Sequence, residues 1–209
     1  MKPFRGVGAM ESSRKTVLLV AEAVTLAHYG RIAMLSRALS ASDYHIIVAA
    51  DPRYRALDEI PGVEFHPIWS IPSSEFSHAL EQGAPLYDIH TLKCYAEEDL
   101  ALIDAVKPDL IVGDFRLSLA VSAPLRKIPY ASIVNAYWSP YADIAYPVPE
   151  LPFTQITGLR VGQALFDLVR PFAFALHARP LNQVRRKYGL APLGSDLRKT
   201  YTWADYTLY

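Results

Sequence analysis

Asp109-Leu-Ile-Val-Gly-Asp114 is a short apolar run closed by a carboxylate, directly after Pro108. A run this short, apolar on both sides of the pleat, suits a strand of a parallel sheet that is covered on both faces. The strand proper is expected over Leu110–Val112. Before it, Leu92, Tyr95, Leu102, Ile103 and Val106 recur with helical spacing, so Tyr87–Lys107 is expected to be helical and Pro108 to end it. After it, Ser118–Lys127 predicts a helix shortened or kinked by Pro124, and Tyr130–Val134 another strand.

The same rhythm extends toward the N-terminus. Val17–Ala23 is a continuous apolar run and reads as the first strand. Gly30–Ser40 follows as a helix with Ile32, Leu35 and Leu39 on one face. His45–Ala50 is stopped by Asp51-Pro52, and Val63–Ile68 is reached through the turn signal Ile60-Pro-Gly62. Trp69–Pro85 gives no clear period and is expected to be irregular and mobile. Toward the C-terminus, Gly162–Tyr188 is expected to be helix broken near Pro171 and Pro180, and Tyr206–Tyr209 a sixth strand. Alternating strands and helices give an α/β, Rossmann-like parallel sheet with helices on both faces. The strand order expected is 3-2-1-4-5, with ligands beyond the carboxyl ends of strands 1 and 4, where that order reverses.

The chain has 209 residues, 51% of them hydrophobic, enough for one large core. Met1–Lys15 is polar and irregular and is expected to be a flexible arm, leaving residues 16–209 as one domain. Lysine plus arginine and aspartate plus glutamate balance at 21 each, which implies no dominant basic face and no nucleic-acid partner. The local basic run Arg179–Lys187 reads as the solvated end of a helix. Cys94 is the single cysteine, so no disulfide forms within the chain and a reducing, cytoplasmic setting fits. Glu22 interrupts the apolar run after Lys15, which argues against an export signal, and no run approaches the ~20 residues of a spanning helix.

His28 follows strand 1 in a loop, and Asp114 ends strand 4. Neighbouring strands lie ~4.8 Å apart, so the two side chains could meet across the crevice. A histidine fixed by a carboxylate through one ring nitrogen can take a proton at the other, and such general base catalysis contributes roughly 10²–10⁴ in rate. The alternative is a loop histidine that only hydrogen-bonds backbone. The loop Glu22–Gly30 carries one glycine and several bulky side chains, so it does not suit a dinucleotide pyrophosphate. No cofactor and no metal site is expected: His45, His66, His78, His90 and His177 show no ligand spacing.

Asn135–Pro152 breaks the rhythm with four prolines beside Tyr137, Trp138, Tyr141 and Tyr146. Long loops within a domain are commonly functional or disordered. With Trp69 and Phe76 these aromatics could line an apolar pocket for a flat or lipophilic molecule. Equally, they could cap the domain or face a partner.

Three stretches together carry a resemblance. They are Val17-Leu-Leu-Val20 with Ala27-His-Tyr-Gly-Arg31 and Leu35–Leu39; Lys107–Asp114 with Lys127-Ile-Pro-Tyr130; and Leu181–Leu190. In this order they resemble the N-terminal, acceptor-binding half of the GT-B fold UDP-glycosyltransferases that modify small lipophilic acceptors such as macrolides, flavonoids and sterols. Ala27 stands where that family has a glycine. The resemblance implies that His28 deprotonates an acceptor hydroxyl, that Asp114 holds His28, and that a UDP-sugar is the co-substrate, with inversion at the sugar. It also implies acceptor contacts from Trp69, Phe76, Tyr137, Trp138, Tyr141 and Tyr146. The donor domain of that family has no counterpart in these residues. The expectation is therefore half of a transferase, inactive alone, either a fragment or a subunit completed by a separate donor-binding chain, with an apolar face exposed. A non-catalytic module binding a lipophilic small molecule or a protein is the alternative, and half of a sugar-nucleotide epimerase a weaker one.

Overall fold

Lys15–Ala21 (β1) sends alternate side chains to opposite faces of a sheet, and both faces are buried. Val17, Leu19 and Ala21 join Tyr29, Ile32 and Ala33 of the helix Leu26–Ala38 (α1) in one core layer. Leu18 and Val20 join a second layer on the other face. The computed structural model describes residues 14–39, 43–57, 62–148 and 158–209. Most of the expected N-terminal arm falls outside them, although Lys15 opens β1.

The remaining elements are β2 (Tyr44–Ala50), β3 (Glu64–Pro67), α2 (Ser73–Glu81), α3 (Ile89–Val106), β4 (Leu110–Asp114), α4 (Leu119–Arg126), β5 (Tyr130–Ile133), α5 (Leu159–Lys187), α6 (Leu197–Tyr201) and β6 (Tyr206–Leu208). The six strands are all parallel, in the order β3-β2-β1-β4-β5-β6. The expected order holds and β6 extends it. α3 and α4 contribute Ile103, Leu119 and Ala123 to the second layer, so helices cover both faces.

Several local expectations are corrected. His28 lies within the first turn of α1 rather than in a loop, because the helix starts at Leu26. Part of the stretch expected to be irregular is α2, whose Phe76 is buried against Ile71 and Tyr87. The short helix α6 had no counterpart in the reading of the sequence. α3 is capped at its start by Asp88, which accepts from the Thr91 amide at 2.7 Å, and it ends on Lys107 with φ of +47° before Pro108.

Proline does not break α4 or α5. Pro124 has no N–H, so the carbonyl of Ala120 lacks its helical donor. The Arg185 guanidinium donates to that carbonyl and also, at 2.8 Å, to Ala191, and it stacks over Trp203. A side chain from α5 thus completes α4. Arg185 is buried and burial holds it below the ordinary guanidinium range, which corrects the reading of Arg179–Lys187 as wholly solvated.

Gly113, the residue before Asp114, has no room for a side chain. A β-carbon there would strike Leu119 and stand 3.1 Å from the Tyr130 ring. Gly113→Ala is expected to destabilise the fold by about 1–3 kcal/mol through overpacking, read as a lower urea midpoint. An unchanged midpoint would mean that β4 shifts freely.

Candidate active site

β1 and β4 are adjacent with Ala21 opposite Asp114, and the Asp114 carbonyl accepts from the Glu22 amide at 3.0 Å. The Asp114 carboxylate therefore emerges at the carboxyl edge of the sheet, where the strand order reverses. α1 begins five residues after β1 and places His28 above that carboxylate. His28 Nδ1 is 2.7 Å from Asp114 Oδ1, with the carboxylate fully buried and the imidazole largely so. In the tautomer that donates from Nδ1 to the Asp114 carboxylate, Nε2 holds the free lone pair; Arg31 Nη2 also stands 2.9 Å from Nδ1. The other face of the dyad is fixed by Phe115, whose ring stacks on His28 with centroids 4.9 Å apart and planes within 7°. Phe115 has φ of +60°, a left-handed conformation that costs a non-glycine residue of order 1 kcal/mol. That conformation turns the chain sharply after β4 and sets the ring beside His28.

The dyad has a third member. Arg31, one turn beyond His28 on α1, grips Asp114 at both oxygens: Nε to Oδ2 at 2.5 Å and Nη2 to Oδ1 at 2.8 Å. Its Nη1 donates to Asn135 Oδ1 at 2.8 Å, and Asn135 in turn donates to the Tyr137 hydroxyl at 2.9 Å. The hydrogen bond to Asp114 holds Arg31 above the ordinary guanidinium range. The fork geometry immobilises the carboxylate and balances its charge while His28 is neutral. Spacing of three residues on a helix was the signal in the sequence that could have paired Arg31 with His28.

These groups stand in the wall of a cavity of about 650 Å³. Most of the remaining wall is apolar, drawn from α2 (Phe76, Leu80), the loop after β5 (Tyr137, Trp138), α5 (Leu165, Val169, Phe174) and α6 (Leu197, Tyr201). Of the aromatic residues singled out in the sequence, Phe76, Tyr137 and Trp138 line the cavity. Tyr146 stands behind the wall, 5.6 Å from the Phe174 ring, and its hydroxyl donates to the Tyr137 carbonyl. Two placements are corrected. Trp69 lies outside the cavity, edge-on to Tyr95 with its amide held by Glu98, and Tyr141 points into solvent. Pro149 and Pro152 of the same loop lie outside the described residues. His177, read as a surface or packing residue, is part of the wall; burial holds it below the usual imidazole range, and its Nε2 is 3.2 Å from the Gly83 carbonyl.

Behind Phe115, Tyr87 is buried against Tyr95, and its hydroxyl has no hydrogen-bond partner among the described residues. An unmet buried hydroxyl costs about 1–3 kcal/mol. Tyr87→Phe is expected to raise stability by about 1 kcal/mol, read as a higher melting temperature; a clear drop would show that the hydroxyl is satisfied. Among the described residues no cluster of three or more His, Cys, Asp or Glu side chains is placed to hold a metal, and no helix is long and apolar enough to cross a membrane.

No family model matches the chain. A PGL/p-HBAD biosynthesis rhamnosyltransferase of Mycobacterium bovis is 46% identical over 200 residues, which are 96% of this chain and 44% of that protein. A protein of the same organism described as an inactive PGL/p-HBAD biosynthesis glycosyltransferase is 45% identical over 196 residues, covering 94% of this chain and 54% of its own length. The chain spans about half the length of the curated relatives it matches. Among solved structures, the spinosyn forosaminyltransferase SpnP superposes with a TM-score of 0.50 at 20% identity, over 86% of this chain and 43% of that one, a likeness in fold. The resemblance to GT-B glycosyltransferases that was legible in the motifs therefore extends to the sequence as a whole and to the fold.

Proposed function

We propose that this chain, which resembles glycosyltransferases of the GT-B fold over nearly its whole length, is the acceptor-binding part of an inverting, UDP-sugar-dependent transferase. The observation that carries the reading is the His28–Asp114 hydrogen bond in the wall of a largely apolar cavity. A hydroxylated, lipophilic acceptor fills the cavity, its flat or apolar body against Phe76, Trp138 and Phe174 and its hydroxyl at His28 Nε2. The hydroxyl proton passes to Nε2 as the oxygen attacks the anomeric carbon. The bond from that carbon to UDP breaks, UDP leaves with the electron pair, and the configuration inverts. Asp114 accepts from Nδ1–H throughout, so the imidazolium forms beside a fixed carboxylate. Arg31 and Asn135 keep that carboxylate from turning.

The UDP-sugar is held outside this chain's residues, by a further domain or a separate donor-binding chain. One relative is described as inactive and another as a rhamnosyltransferase at nearly equal identity. That pairing favours a second reading, a binding module that keeps the cavity without turnover. Both readings require ligand to enter beside Trp138. Phenolic acceptors should quench its fluorescence, and a Trp138→Phe variant should lose that response; no response in the wild-type chain would sink both. The readings separate when the chain is joined to the remaining part of the rhamnosyltransferase relative and offered UDP-sugars with phenolic acceptors. Glycosylated product supports the transferase. Acceptor binding without product, in a fusion shown to bind UDP-sugar, supports the binding module.

A further inference from the structure

α6 ends on Tyr201, which packs with Leu197 of the same helix and Ala178 of α5 in one buried cluster. That packing sets the Tyr201 ring in the cavity wall, edge-on to Phe115 at 5.4 Å and to Trp138 at 4.8 Å between centroids. Tyr201 is only 7% exposed, yet its hydroxyl has no hydrogen-bond partner among the described residues. A buried tyrosine hydroxyl ordinarily finds one. The Tyr87 hydroxyl is also unmet but is closed off from solvent; the Tyr201 hydroxyl is not closed off, and the space beside Tyr201 is the cavity. Burial holds Tyr201 above the ordinary phenol range, and Tyr137, also in the wall, acts in the same direction. At neutral pH Tyr201 therefore presents an intact O–H, a donor with nothing to donate to.

Other polar groups of the same wall are already committed. Asp114 accepts from His28 and Arg31, Asn135 accepts from Arg31 and donates to Tyr137, and His177 meets the Gly83 carbonyl. Phe115 links the uncommitted hydroxyl to the dyad, since the ring that stacks on His28 at 4.9 Å also meets Tyr201. A ligand with its hydroxyl at His28 and its body along Phe115 brings further atoms beside Tyr201.

We propose that Tyr201 is a specificity-determining residue of this cavity, its hydroxyl donating a hydrogen bond to a second oxygen of the acceptor, apart from the hydroxyl that reacts at His28. A ligand that covers this hydroxyl with carbon strands a buried donor, whereas one that supplies an oxygen there removes that cost. Tyr201 thus discriminates among acceptors that fit the apolar wall equally well. The inference rests on the acceptor reading of the cavity.

Titration calorimetry of the 209-residue chain with para-hydroxybenzophenone and para-benzylphenol tests it. The two phenols have the same rings and differ in the group between them, a carbonyl in one and a methylene in the other. Wild type should bind the ketone about tenfold more tightly, about 1.4 kcal/mol, and Tyr201→Phe should bring that ratio to within about twofold. The ratio is the readout, so a general loss of affinity through altered packing does not imitate the result. Circular dichroism of Tyr201→Phe should match the wild type, since no hydrogen bond to a described residue is lost. A wild type without preference, or a preference that survives in Tyr201→Phe, overturns the inference and leaves the acceptor reading standing. Binding of neither phenol overturns the acceptor reading and this inference with it.

Discussion

Replacing Arg116 by methionine is expected to cost about 3–5 kcal/mol of folding stability, enough to unfold much of the chain at neutral pH. Arg116 is fully buried two residues beyond the end of β4, and it is the cation of a network that joins three parts of the fold. It donates to Asp99 at 3.0 Å, Glu22 at 3.1 Å, Glu98 at 2.8 Å and the Trp69 carbonyl at 2.7 Å, and it stacks 3.7 Å from the Tyr95 ring centroid. Ser118 completes the shell of Asp99, and the Tyr95 hydroxyl completes that of Glu22. Burial alone works against its charge, yet Asp99 and Glu22 hold Arg116 above the ordinary guanidinium range. Methionine would preserve most of the volume while leaving two buried carboxylates without a cation, and an uncompensated buried charge is the costly half of such a pair.

The network also sets a pH dependence. Burial holds Glu22 and Asp99 above the ordinary carboxylate range, with Arg116 pulling the other way. A carboxylate raised in the folded state binds more protons there than in the unfolded chain, so its contribution to stability is fullest below the unfolded value of ~4 and falls as pH rises through the raised one. Removal of Arg116 raises both groups further. The deficit of Arg116→Met, measured by urea denaturation, should therefore be smaller near pH 4 than at pH 7. Adding Glu22→Gln and Asp99→Asn should recover a good part of it. A deficit independent of pH, or a variant as stable as wild type, would show that the carboxylates are not charged beside Arg116.

The second large effect is chemical. In a preparation completed by a donor-binding part, His28→Ala is expected to lower turnover by roughly 10²–10⁴, the contribution of a positioned general base. The fold should persist, since His28 stands in the cavity wall and its loss removes one stacking partner of Phe115. Asp114→Asn should cost turnover for a different reason. An amide can donate to Nδ1, which would move the imidazole hydrogen to Nε2 and remove the lone pair that takes the acceptor proton. It would also break one arm of the Arg31 fork. Turnover unchanged by His28→Ala would remove this histidine from the mechanism.

How far the sequence alone reached differs from element to element. The parallel sheet was legible because a doubly covered strand must be apolar on both faces, and Val17–Ala23 and Leu110–Val112 are. Their order brought His28 and Asp114 together before any distance was known, because helical crossovers in such sheets have one hand and leave one point where the order reverses. Arg31 was half visible as a neighbour of His28 on a helix, though its target, 83 residues away, was not. Trp69 and Tyr141 show the converse failure. Both are aromatic residues in irregular stretches, and composition cannot say toward which side such a residue turns. Pro124 was read as kinking or shortening its helix and Pro171 as breaking one, because the rule for proline is local, whereas the donor that satisfies Ala120 comes from Arg185 on another helix.

By itself, then, the sequence determined the alternating elements, the order of the sheet and the candidate dyad, since period and handedness are local properties of an L-polypeptide. Only the tertiary structure decided what surrounds that dyad. The Arg31 fork, the Phe115 stack, the wall contributed by α5 and α6, and the buried shell of Arg116 all join residues distant in the chain. Their energies come from desolvation and directed hydrogen bonds, which exist only once the packed fold excludes water and fixes the angles between partners.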